Sequence, residues 1–324
     1  MKYILTLFLA VFILAGCAGK EFYEPEDTVG DYENTTASLN GDIISMNKDG
    51  ATLDSGEIIT KRGVSKFKIK EGYSFLNISE DKVISSNYKD KVMIENEEIE
   101  VGGVVVAGTL RKNILAILFS DNTIELLNLD SKKILLKEYY PHSLVNDTRI
   151  ANPYFMNNII LFPTLDGKIV IVSQANNKVI KNIVVDADGQ FNNIIFLDVV
   201  NDTLIAATTN KIITVGDNKL NIKDYDLRDI IIHKENIYIA TIDGQIMKLD
   251  ISLNEIAKKK YKYAKFYTLA YGSSLYALES QGYLVNIPED FSGETIYDFD
   301  FDNEQKVIAL GDTIYYNDEY IILK

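Results

Sequence analysis

The chain has 324 residues, and Asp and Glu outnumber Lys and Arg by 47 to 33, for a net charge of −14. That balance argues against a nucleic-acid partner, because phosphate backbones are bound by basic surfaces. Hydrophobic residues make up 47% of the chain, which excludes a disordered protein and suffices for one large all-β domain or two ordinary ones.

Met1-Lys2 opens the chain with positive charge, and residues 3–14 form an apolar run broken only by Thr6. Such a run is too short to span a bilayer and has the length of a signal-peptide core. Leu14-Ala15-Gly16-Cys17 follows, and this tetrapeptide resembles the lipobox of bacterial lipoproteins. The resemblance implies a leader at 1–16 and an acylated Cys17 as first residue of the mature chain; the alternative is a secreted protein with a chance cysteine. Ala18 stands where, by the enterobacterial sorting rule, an aspartate would favour the inner membrane. The resemblance therefore implies an anchor in the outer membrane, facing the periplasm. Cys17 is the single cysteine, so no internal disulfide forms. Residues 17–37 carry Glu21, Glu24, Glu26, Asp27, Asp31 and Glu33 with almost no aliphatics. This composition predicts a flexible acidic tether ahead of a folded body at 38–324.

From Asp42 onward, strand-length runs recur in groups of four. The first group is 42–46, 50–53, 57–61 and 66–70, turning centrally at Asp54-Ser55-Gly56; the second is 74–78, 82–86, 91–94 and 97–101. The third covers 103–139, and a longer connection between Pro141 and Pro153 leads into the fourth, which turns at Asp166-Gly167. The fifth spans 193–222. The sixth, from Arg228, holds the clearest hairpin, two β-rich runs around Asp243-Gly244, a dipeptide suited to the positive φ angles of a tight turn. The seventh runs from Phe266 to a weak strand near Thr295. The last group is 297–301, 306–310, 313–317 and 320–323. A mostly strand-and-turn unit repeated every few tens of residues predicts an all-β fold: a single β-propeller of four-stranded blades, eight in number, with seven as the alternative.

Asp166-Gly167-Lys168-Ile169-Val170, Asp243-Gly244-Gln245-Ile246-Met247 and the tails Asn128-Leu129-Asp130 and Lys248-Leu249-Asp250 resemble the PQQ-type propeller repeat. The repeat's tryptophan is absent throughout. Within that superfamily, a lipobox and one propeller with no extra domain look like the BamB-like lipoproteins, which use the ring as a protein-binding scaffold. The quinoprotein dehydrogenases instead hold PQQ and calcium in theirs.

The residues offer little catalytic chemistry. His142 and His233 are the two histidines, and neither has partners spaced for a triad or metal cluster. Asp186-Ala187-Asp188-Gly189 resembles the opening of a calcium loop but lacks its later ligands, which favours a connecting turn. Asp298, Asp300 and Asp302 alternate with Tyr297, Phe299 and Phe301, as in a strand with acids on one face; on an innermost strand they would line the channel. Lys258, Lys259, Lys260, Tyr261, Lys262, Tyr263 and Lys265 form the dense basic-aromatic stretch of an acidic chain. They are a candidate surface for an acidic partner, against the alternative of an edge strand guarded by lysine.

The expected function is a non-enzymatic, lipid-anchored envelope scaffold that binds other envelope proteins, with no cofactor or metal. The BamB resemblance implies a part in outer-membrane β-barrel assembly. The alternatives are a periplasmic enzyme or small-ligand binder using the axial pocket, and a surface adhesin.

Overall fold

The computed structural model describes residues 21–324 apart from 33–35, 144–145, 188, 190 and 218. Among these residues the chain forms eight four-stranded antiparallel sheets. Seven follow one another along the chain, at 43–68, 74–100, 105–139, 154–184, 196–224, 227–260 and 266–298, each with strand order one to four. Eight hydrophobic clusters each join one sheet to the next, including the last to the first through Leu310 and Tyr315 against Ile43 and Leu53. The sheets are therefore the blades of a closed ring, and the expected eight-bladed propeller is the observed fold.

Burial follows from that packing. The second and third strands of a blade lie between two neighbouring blades, so they are apolar on both faces: Ile114–Phe119 and Thr123–Asn128 are buried along nearly their whole length. The outermost strands alternate, as Gly63–Lys68 does, because one edge meets solvent. The central turns are set by local chemistry. Gly244 and Gly167 adopt φ values of +82° and +77°, and a Cβ on Gly167 would sit 1.9 Å from the Asp186 carbonyl oxygen. Only glycine fits both demands there.

The eighth blade departs from the sequence reading by one strand. Its first three strands are Ile308–Leu310, Thr313–Tyr316 and Glu319–Ile322, and its outermost strand is Thr36–Ser38 from the other end of the chain, paired Thr36 to Ile321. The strand expected at 297–301 is instead the outermost strand of the seventh blade, Thr295–Asp298. Phe299 and Phe301 leave the sheet and pack into the interface between the seventh and eighth blades. Asp298 thus lies at the outer rim, far from any channel.

Residues 21–32 also differ from the expected flexible tether. They form a strap along the outer edge of the seventh blade, with Val29 N–H on the Ile296 carbonyl (3.0 Å), Asp298 N–H on the Gly30 carbonyl (3.0 Å) and Tyr32 N–H on the Asp298 carbonyl (3.2 Å). Tyr23 is buried edge-on against Tyr261 and Tyr283, with ring centroids 5.9 and 5.8 Å away. Tyr32 is wedged against Tyr276 and Tyr297. Two aromatic plugs and an open strand edge fix a segment whose composition is otherwise that of a linker.

Candidate functional site

The innermost strands of all eight blades surround an axial cavity of about 710 Å³, within the range of small-ligand sites. Its walls come from the ends of these strands and the turns after them, so it opens on the face that carries the first-to-second-strand turns. Every blade contributes to the lining, which includes Lys61, Arg111, Tyr154, Phe155, Asp198 and His233.

An ion pair crosses the axis at its inner end. Lys48, after the first strand of the first blade, meets Asp229 in the first strand of the sixth at 2.8 Å. Asp229 is buried and also accepts the Leu269 N–H (2.7 Å), the Ile230 N–H (2.8 Å) and the Thr268 hydroxyl (3.0 Å). Burial alone would raise this carboxyl's pKa, but the Lys48 charge and these hydrogen bonds outweigh it and hold the pKa below the ordinary value. On the same side, Arg149 binds Asp147 at 2.7 Å and donates to the Arg228 carbonyl, tying the long connection into the fourth blade to the sixth.

Toward the mouth, Lys61 pairs with Asp49 at 2.6 Å, and the other Asp49 oxygen accepts from the Asn152 amide at 2.6 Å. The Lys61 side chain remains 68% exposed to the cavity. Asp198 is less well served. It accepts the N–H of its own neighbour Val199 (2.8 Å), and burial raises its pKa, aided by Asp49 and opposed by that hydrogen bond and Lys61. Arg111 lies over the Phe155 ring at 5.9 Å, and among the described residues no carboxylate forms an ion pair with it. His233 is stacked on Tyr271 at 3.7 Å, and burial followed by the nearby Lys234 lowers its pKa, so it is neutral at pH 7.

The chain resembles proteins of two kinds. No family model matches it. It is 27% identical over 351 aligned positions to the plasminogen-binding protein PgbB of Helicobacter pylori strain J99, an alignment covering 91% of this chain and 64% of that protein. The PgbB of a second strain, 26695, matches at the same identity. The chain thus spans less than two thirds of the length of these curated relatives, which carry the name of binding proteins rather than enzymes. Among solved structures, BamB of Moraxella catarrhalis superposes with a TM-score of 0.69 at 11% identity, covering 90% of this chain and 99% of that one. The fold is BamB-like. The C-terminal WD40 domain of Sif2 superposes at 0.61 with 9% identity over 88% of this chain and 96% of its own. At these identities the likeness carries the fold alone.

The sequence-predicted residues fall elsewhere. Cys17 lies outside the described residues. The basic stretch forms the outer rim of the sixth blade, where Glu255–Lys260 is the outermost strand. Lys258 pairs with Glu255 (3.2 Å), Lys259 with Glu294 and Lys260 with Asp243 (2.5 Å), while Lys262 sits over the Tyr263 ring at 4.4 Å. Lys265 is exposed, and its backbone N–H donates to Glu279. Tyr261 is core, covered by Tyr23 and Phe266. The acidic strap residues Glu24, Glu26 and Asp27 share a groove with Lys260 and Lys262. The acidic surface this stretch faces is, in this structure, the chain's own. Asp186 is buried and paired with Lys211 at 3.3 Å, and Asp188 lies outside the described residues. Among the described residues no cluster of three His, Cys, Asp or Glu side chains is arranged to hold a metal. His142 is exposed on the connection to the fourth blade. Sequence reasoning missed the cavity set because its residues are scattered over eight blades; the recurring signal is a charged or aromatic residue near the end of a first strand.

Proposed function

We propose that this chain is a lipid-anchored protein of the cell envelope that binds other proteins on its propeller. The observation that carries the reading is the 27% identity across 91% of the chain to proteins named as plasminogen-binding. The lipobox at Leu14–Cys17 supplies the anchor, and an eight-bladed ring with two turn-rich faces supplies rigid loops of the kind that carry binding. A part in β-barrel assembly at the outer membrane is the narrower form, supported by the BamB-like ring together with that lipobox.

Two measurements test it. Purified chain immobilised on a sensor is exposed to plasminogen and, separately, to detergent-solubilised barrel proteins of the outer membrane. Saturable retention of plasminogen supports capture, retention of barrel proteins supports assembly, and retention of neither overturns the scaffold. For the anchor, a clickable fatty acid fed to cells marks the wild-type chain and not Cys17→Ala; label persisting on the variant overturns lipidation.

A further inference from the structure

The axial cavity holds charges that the fold leaves unanswered. Along one wall, three consecutive blades present Arg111 from the third, Phe155 and Tyr154 from the fourth, and Asp198 from the fifth. Arg111 touches the Phe155 ring face and pairs with no carboxylate among the described residues. Tyr154 stands next to Asp198: its phenol pKa is raised by burial first and then by that carboxylate's charge. Asp198 keeps acceptor capacity beyond the one hydrogen bond from Val199. Lys61 of the first blade acts on Asp198 through its charge without forming an ion pair with it, and is committed to Asp49, which Asn152 holds in turn.

Asp229, by contrast, is answered by Lys48 and three further donors. A cation from the third blade and an acid from the fifth line one cavity, with two aromatic rings of the intervening fourth blade in the same wall, an arrangement that matches a ligand with both charges and an apolar middle. We propose that the axial cavity binds a short free-ended peptide, its α-ammonium on Asp198, its carboxylate on Arg111 and a central side chain against Tyr154 and Phe155. This goes beyond the scaffold reading, and either can fail alone: the peptide site concerns the cavity, whereas the sensor experiment above reads whole proteins.

The test is calorimetric titration of the full chain with the tripeptides Ala-Phe-Ala, Ala-Tyr-Ala and Ala-Leu-Ala. Each is used free-ended, N-acetylated and C-amidated. Free-ended peptide binds, and either cap weakens it about tenfold, the loss expected for one charge-assisted hydrogen bond. Asp198→Asn lowers the affinity of free-ended peptide to that of the acetylated form and makes acetylation irrelevant. Arg111→Gln does the same for amidation. Melting curves establish that both variants are folded. No binding of any free-ended tripeptide at millimolar concentration overturns the proposal, as does a cap whose effect survives removal of its partner.

Discussion

The axial cavity and the outer rim of the sixth blade are both rich in charge, and they treat it in opposite ways. On the rim, Lys258, Lys259 and Lys260 each find a carboxylate within the chain, and Tyr261 is sealed by Tyr23. In the cavity, Lys48 and Lys61 are paired, but among the described residues Arg111 and Asp198 have no ion-pair partner. The rim was conspicuous in the sequence because its lysines are consecutive; the cavity was not, because its residues are scattered over eight blades. Density of charge along a chain thus does not reveal whether the fold has already paired it. What counts is whether the fold leaves a group without an answer.

The comparison can be broken in several places. The largest effect is expected from Asp229→Ala, which leaves the partly exposed Lys48 and three hydrogen-bond donors without the buried carboxylate they share and costs about 3 kcal/mol in urea unfolding. Replacing Lys48 by Met in the same chain should recover much of that loss, and a double variant as unstable as the single one would show that the pair is not the cause. Because the Asp229 carboxyl titrates below its unfolded value, the stability it contributes is present at neutral pH and is lost as pH falls through its folded pKa. Next comes Tyr23→Ala. Truncating this buried plug should cost about 2 kcal/mol, less than a central aromatic because the strap can settle. A melting curve identical to wild type would return residues 21–32 to the status of a loose tether.

Asp198→Asn is expected to act in the opposite direction. Its folded pKa lies above the ordinary one, so its charge opposes folding at neutral pH, and that penalty disappears as pH drops through the raised value. The amide should therefore stabilise the chain at pH 7 and make no difference in acid; a variant less stable than wild type at pH 7 would mean the carboxylate is better paired than it looks. Smallest of all is the triple change of Lys258, Lys259 and Lys260 to Ser. Exposed pairs of this kind contribute a few tenths of a kcal/mol each, and protein partners should be retained at an unchanged level. A clear fall in capture at low salt would restore the rim as a docking surface.

Legibility followed the range of the interactions. Hairpins such as Asp166-Gly167 and Asp243-Gly244 were readable because turn geometry is decided within four residues. Blade number followed from counting them. Thr36–Ser38 was unreadable as a strand, since Thr-Ala-Ser has no apolar alternation and its pairing is imposed by closure of the ring. The acidic strap misled for a related reason: its average composition is that of a linker, while its position depends on single residues, Tyr23 and Tyr32, meeting aromatic partners about 250 residues away. The cavity depended on eight strand ends converging, a relation with no counterpart along the chain.

Joining the two ends of the chain in one sheet also sets an order in time. A chain is made from its N-terminus, so Thr36–Ser38 emerges before the other blades and its partner Glu319–Ile322 only after seven of them. Seven blades can fold from neighbouring hairpins as they appear, whereas the eighth cannot be completed until Glu319–Ile322 has been made. Contacts at such separation carry the largest loop-closure cost and form slowly. Until then the ring is an open arc with a bare apolar sheet face at each end, on the seventh blade and on the first. Closure is where folding competes with aggregation, and a chain cut short before its last strand would stay open however sound its other blades were.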